Sequence, residues 1–139
     1  MAKTTPTWGD YLLVGVGGAA GTALRAVIAS DVPGTLLVNL AGAFLLGVLT
    51  GVVSGVLGVR GARVRLLLGA GFLGGFTTWS SLILQVHTGG LGAGSRETVG
   101  AGLLYALVSV FGGLAAAWCG LRVGGLTGGC ADRLAAGGE

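Results

Sequence analysis

The sequence predicts an all-α membrane protein with four transmembrane helices, the third of them broken in its middle. Three observations predict it. Only 9% of the 139 residues are charged, against roughly a quarter in an ordinary soluble domain. Mean hydropathy is +0.89, and the apolar residues fall into four runs, each long enough to cross a bilayer as a helix. Finally, the third run holds the segment Gly69 to Ser81, GAGFLGGFTTWSS, whose composition opposes a continuous helix. Gly74 and Gly75 weaken it, and Thr77, Thr78, Ser80 and Ser81 compete for its backbone hydrogen bonds. Hydrocarbon tolerates irregular backbone only where it is buried in protein or lines a wet cavity. In membrane proteins such breaks mark ion and substrate sites.

Residues 1–9 read as a loose polar tail in which Trp8 can sit at the membrane interface. The first span covers about 11–30, with Arg25 near its end. Val27-Ile28-Ala29 loosely resembles a signal cleavage site, but Arg25 just before it and a single Lys3 at the amino end argue against removal. Asp31 to Gly34 is expected to turn, with Pro33 suited to a first helical position. The second span, 34–59, is uncharged, and Arg60, Arg63 and Arg65 crowd the short loop that follows. The third span is 66–86. A Gly-rich loop, 87–94, precedes Ser95, a candidate cap ahead of Glu97. The fourth span, 98–121, is uncharged. The domain is therefore 10–122, followed by a flexible, Gly-rich tail over 123–139.

All four spans carry small residues four apart: Gly17 and Gly21; Gly47, Gly51 and Gly55; Gly71 and Gly75; Gly112, Ala116 and Gly120. Such faces let helix backbones approach closely. Four thin helices hardly enclose a pore, so a dimer or larger assembly is expected. With four spans, Lys3, Arg60, Arg63, Arg65, Arg122 and Arg133 share one side, against Arg25 and Arg96 on the other. Six against two places the termini in the cytoplasm by the positive-inside rule.

Net charge is +3, small and scattered, so nucleic acid is not an expected partner. Cys119, Cys130 and His87 have neither metal-ligand spacing nor a disulfide framework. Gly69-x-Gly71-x-x-Gly74 imitates a dinucleotide fingerprint, but without a strand before it or an acid about 20 residues on it carries nothing. There is no nucleophile–base constellation, so an enzyme is not expected.

The polar groups inside the spans point one way. Asn39 can be an interhelical hydrogen bond, worth on average about 0.6 kcal/mol in membranes. Yet Thr35 lies one turn earlier on the same face. Tyr105 and Ser109 are also four apart, and Arg25 either snorkels or attracts anions to a vestibule. Four hydroxyls between Thr77 and Ser81 are costly in lipid unless satisfied. Amides, hydroxyls and a cation favour an anion. No Asp or Glu lies in spans two to four, where a cation or proton path would carry carboxylates.

These residues resemble the Fluc (CrcB) fluoride channels. The matching pieces are Gly17-Gly18-Ala19-Ala20-Gly21-Thr22-Ala23-Leu24-Arg25, then Gly34-Thr35-Leu36-Leu37-Val38-Asn39 with Gly42, then Gly71-Phe72-Leu73-Gly74-Gly75-Phe76-Thr77-Thr78-Trp79-Ser80, with Tyr105 and Ser109 in the fourth span. The resemblance implies an antiparallel, dual-topology-type dimer in the bacterial plasma membrane that exports fluoride passively. It implies a structural sodium ion at the dimer centre, held by the backbone carbonyls of Gly74 and Thr77. It implies a pore past Asn39, along a polar track of Ser80, Ser81, Tyr105 and Ser109, and past two aromatics matched here by Trp79 and Leu82. Aromatic ring edges are electropositive, and Leu82 has none. The partner is either a second copy or an oppositely inserted homologue. Competing readings are a four-helix proton-coupled multidrug exporter, for which Asp10 is the one candidate coupling acid, and a non-conducting subunit that supports a partner.

Overall fold

The computed structural model describes residues 6–29, 31–56, 58–87 and 97–136, and all of their regular structure is helical. Helix α1 is Trp8–Ile28 and α2 is Val32–Val56. The third span opens with α3, Gly58–Val64, continues as a π-helix over Arg65–Leu73, and ends in a short turn, α4, Gly74–Phe76. After a two-residue interruption comes α5, Trp79–His87; the last helix, α6, is Glu97–Ala136. Four stretches are long and apolar enough to cross a membrane: Trp8–Ile28, Val32–Val53, Gly61–Gln85 and Gly100–Thr127.

Local chemistry sets the helix ends. Thr7 donates from its amide and its hydroxyl to Asp10 Oδ2, at 2.8 and 2.9 Å, which closes the first turn of α1. Asp31 accepts the amide of Gly34 on Oδ1 at 2.7 Å and so caps α2. Pro33 is thereby the second residue of that helix rather than the first. The expected cap Ser95 and the loop over 88–94 lie outside the described residues, as do Lys3 and Arg96 of the charge count.

Two pairings organise the bundle: α2 runs along α6, and α1 lies against the π-helix and α4. Glycine makes both possible. A Cβ on Gly21 would collide with the Phe72 carbonyl, and one on Gly75 with the Gly18 carbonyl. Across the other seam, Gly47 meets the Ala117 carbonyl, Gly120 meets Phe44, and Gly124 meets Val48. Of the stripes expected on the sequence, Gly17, Gly21, Gly47, Gly51, Gly71, Gly75 and Gly120 make backbone-to-backbone contacts, whereas Gly112 faces the Leu40 side chain. Val38, Leu73, Phe76 and Leu82 are buried, whereas Leu104, Phe111 and Leu114 of α6 face outward, as suits a chain solvated by lipid.

Two segments differ from the sequence expectation. The stretch holding Arg60, Arg63 and Arg65 is helical rather than a loop, because nothing in it breaks a helix beyond Gly61, which is buried. And α6 runs to Ala136, past 122; Gly51 and Gly124 keep it packed on α2 within the Gly100–Thr127 span. At 1.5 Å per residue its 40 residues reach roughly 60 Å, more than a bilayer with its headgroups.

Candidate functional site: a broken helix clamped by an asparagine

The third span breaks at Thr77 and Thr78, within the expected window. The glycine pair is not the break, since Gly74 and Gly75 keep helical geometry and Gly75 serves the seam with α1. The threonines end one helix and start the next. Thr77 turns extended at φ −77°, ψ 156°, while its amide and its hydroxyl both donate to the Leu73 carbonyl at 3.0 Å. Thr78 caps α5 by accepting the Ser81 amide on Oγ1 at 3.2 Å. Its hydroxyl donates to Ser81 Oγ at 3.1 Å and lies 3.3 Å from Ser80 Oγ. The four hydroxyls thus satisfy one another and the backbone.

Asn39 of α2 stands opposite the break. Its Oδ1 accepts the Thr78 amide at 2.8 Å and its Nδ2 donates to the Thr78 carbonyl at 3.1 Å. A side-chain amide here does what a neighbouring backbone does in a sheet. Gly42, one turn on, leaves room for the Thr77 methyl.

The same bonds redirect the donors of two carbonyls. In an unbroken helix the Thr78 amide would serve Gly74 and the Ser81 amide would serve Thr77. Here Thr78 donates to Asn39 and Ser81 to Thr78 Oγ1. The Gly75 carbonyl, between them, accepts Thr22 Oγ1 at 3.3 Å. Gly74 and Thr77 therefore present the carbonyls whose helical partners are engaged elsewhere, and Gly74 is exposed. Hard cations take such oxygens. Among the described residues no three His, Cys, Asp or Glu side chains come together as metal ligands.

A cavity of about 210 Å³ opens beside the clamp, lined by Asn39, Thr77, Thr78, Trp79, Leu82, Ser109 and Val110. Its polar lining is neutral. Ser109 Oγ is buried without a well-formed hydrogen bond, and its polar neighbour is the Tyr105 side chain one turn earlier on α6. Leu82 is 4% exposed and forms a wall, whereas Trp79 is 69% exposed and projects outward.

A second polar chain runs one helical turn away. Tyr105 Oη donates to Gln85 Oε1 at 2.6 Å, Gln85 Nε2 donates to Thr35 Oγ1 at 2.8 Å, and Thr35 donates to the Asp31 carbonyl at 3.0 Å. Sequence reasoning missed Gln85. The available signal was its spacing, four residues after Ser81 and seven after Thr78, on the same face of a half-helix. Arg25 is half-buried in the last turn of α1 and does not line the cavity. Ser80 and Ser81 approach the site through Thr78 rather than lining it.

The family described as CrcB-like protein, Camphor Resistance (CrcB), matches residues 12–121. The chain belongs to this family. Curated relatives agree. Fluoride-specific ion channel FluC 1 of Symbiobacterium thermophilum is 40% identical over 125 residues, covering 83% of this chain and 97% of its own length. Fluoride-specific ion channel FluC 2 of Moorella thermoacetica is 41% identical, covering 83% and 96%. Fluoride-specific ion channel FluC of Thermus thermophilus is 42% identical, covering 83% and 93%.

The CrcB match takes in the break, the clamp, the cavity and the Tyr105 chain. It leaves out Asp10, whose carboxylate closes a helix cap at the chain's exposed start. The exporter reading thereby loses its coupling acid. The end of α6, beyond 121, is also outside the matched region.

Proposed function

We propose that this chain is a subunit of a passive fluoride channel of the bacterial plasma membrane, a multi-pass channel rather than an enzyme, which lets the cell shed toxic fluoride. The observation that carries the reading is the neutral cavity beside a broken helix, lined by the Asn39 amide and the Ser109 hydroxyl, in a chain whose relatives are named fluoride-specific channels. Fluoride gives up water reluctantly and needs hydrogen bonds in exchange. Ser109 offers a buried hydroxyl whose competing partner is the Tyr105 side chain. Asn39 Nδ2 carries two hydrogens, of which Thr78 takes one. Tyr105, Gln85 and Thr35 continue the donors toward the Asp31 end of α2. Arg25 raises local anion concentration at a vestibule without touching the narrow part.

A sodium ion fits the freed carbonyls of Gly74 and Thr77, where it would hold the break open as a structural ion; a chain that exposes Gly74 can share that ion with a partner. The partner is a second copy or a homologue, inserted antiparallel within membrane lipid. Trp79 projects from the subunit and Leu82 does not, so in an assembly Trp79 is placed to offer its electropositive ring edge to the partner's pore. The test is fluoride efflux from liposomes holding the purified protein, with chloride as the control anion. Flux of fluoride but not chloride supports the reading; equal leakage of both, or none with any partner, sinks it.

A further inference from the structure

A groove of about 400 Å³ lies between the start of α1 and α3, lined by Thr7, Gly9, Asp10, Leu13, Arg63, Val64 and Leu67, apart from the clamp and its cavity. We propose that this groove binds one phospholipid bearing a primary amine, with its phosphate at Arg63 and the first turn of α1 and its ammonium at Asp10.

Three observations fix the ligand chemistry. The walls carry one cation and one anion, and both Thr7 bonds fall on a single oxygen of the Asp10 carboxylate. A zwitterion with its charges one short linker apart matches that pair. The amino end of a 21-residue helix adds a positive dipole beside Arg63, which favours a phosphate. Below the charges the walls turn apolar at Leu13, Val64 and Leu67, where an acyl chain can lie.

The depth is right as well. Trp8 is 86% exposed and meets Tyr11 edge-on, with ring centroids 6.1 Å apart, on the helix that forms one wall. Aromatic pairs of this kind sit among lipid headgroups. Arg122 lies over the Trp118 ring at 4.7 Å and gives α6 a comparable interfacial pair. A headgroup seated here ties α1 to α3, and so to the π-helix that leads into the break.

The experiment uses the full-length assembled protein in detergent. Retained lipid is measured by native mass spectrometry after exposure to phosphatidylethanolamine, phosphatidylcholine or phosphatidylglycerol. The wild type should retain phosphatidylethanolamine over both others. Asp10→Asn keeps a side-chain oxygen at the third helical position to accept the Thr7 amide, so the capping box can persist. It should abolish the preference over phosphatidylcholine. Arg63→Gln should weaken retention of all three by roughly fivefold, the scale of one surface ion contact. Retention indifferent to headgroup, or unchanged in both variants, overturns the proposal. So does equal binding of free phosphoethanolamine, which would make this a soluble-anion site. If Arg63→Gln instead dissociates the assembly without altering lipid retention, the groove is an interface between copies and the proposal falls. Fluoride flux is not the readout, so a failure here is distinguishable from a failure of the channel reading.

Discussion

Asn39 holds both backbone polar groups of Thr78, taking its amide on Oδ1 at 2.8 Å and giving Nδ2 to its carbonyl at 3.1 Å. The structural and functional readings of this residue are therefore not rivals. The same amide that closes the break also lines the cavity. Asn39→Asp keeps one bond of the clamp while placing a charge at the cavity. Aspartate keeps the bond from the Thr78 amide but sets its second oxygen against the Thr78 carbonyl to which Nδ2 donated, so assembly is checked by gel filtration before flux is read. Fluoride flux should fall steeply. A unit negative charge 4 Å from the ion at an effective dielectric of 20 costs about 4 kcal/mol, near three powers of ten in occupancy. Unchanged flux in an assembled variant would leave Asn39 only its clamping role.

Ser109 gives the converse test. Its hydroxyl is buried and holds at most a weak contact with the Tyr105 side chain, so its removal forfeits little intramolecular bonding. Ser109→Ala should leave the melting temperature unchanged or slightly raised. If the hydroxyl donates to the permeating ion, flux should drop about threefold to tenfold, the worth of one hydrogen bond of roughly 0.5–1.5 kcal/mol. A variant that melts earlier and conducts normally would show Ser109 to be packing.

The two helix seams predict which glycines tolerate a methyl. On α1, a Cβ at Gly21 meets the Phe72 carbonyl, while one at Gly15 meets nothing within 4 Å. Gly15→Ala should be neutral or stabilising, because alanine favours the helix by up to about 1 kcal/mol. Gly21→Ala should cost about 1–3 kcal/mol or prevent folding, since a backbone atom must move. Equal melting temperatures for the two would refute the close seam.

These comparisons show why some of the structure was legible in the sequence and some was not. Four spans follow from where the charges stop, and the small-residue stripes follow from four-residue spacing. The break was legible as a region, because glycine and hydroxyl content announce it. Its location was not, because Gly75 is demanded by the Gly18 backbone, a tertiary contact that local propensity cannot see. The π-helix over Arg65–Leu73 has no compositional signature, and the packing of α6 on α2 past 122 depends on Gly124 meeting Val48. Gln85 was missed because a lone amide in an apolar half-helix looks inert until Tyr105 and Thr35 are seen on either side of it.

The carbonyls of Gly74 and Thr77 predict an alkali-ion dependence. If sodium binds the assembled state alone, exchanging it for a large organic cation should lower the melting temperature. Saturation at 100 times the dissociation constant is worth about 2.7 kcal/mol. Potassium, larger and held at longer distances, should restore less. Thr77→Pro keeps the residue's extended carbonyl but removes the amide bond to Leu73. It should blunt the sodium effect as the turn loosens. Identical melting in sodium and in the organic cation would remove the ion from the account.

The last prediction concerns the partner. Six cationic residues against two predict a single orientation in the membrane, whereas a homodimer of antiparallel copies needs both. Arg63 and the start of α1 line one groove, so that part of the charge count does fall on one side of the bundle. The aromatic set points the same way: where two ring edges are expected this chain offers Trp79 and the aliphatic Leu82, and Leu82 is buried within its own subunit. A pore served by this chain's outward face is thus short of one ring, while a partner with both aromatics could supply a complete set to the cavity beside Asn39. The chain should therefore work as one half of an antiparallel heterodimer. Expressed alone in cells lacking fluoride export, it should confer little resistance and show its tagged terminus on one side only. Co-expression with an oppositely inserted homologue should restore resistance, and Asn39→Asp in this chain should then remove the pore that Asn39 lines. Strong resistance from this chain alone, with termini on both faces of the membrane, would establish the homodimer and show that Trp79 by itself supplies enough positive edge.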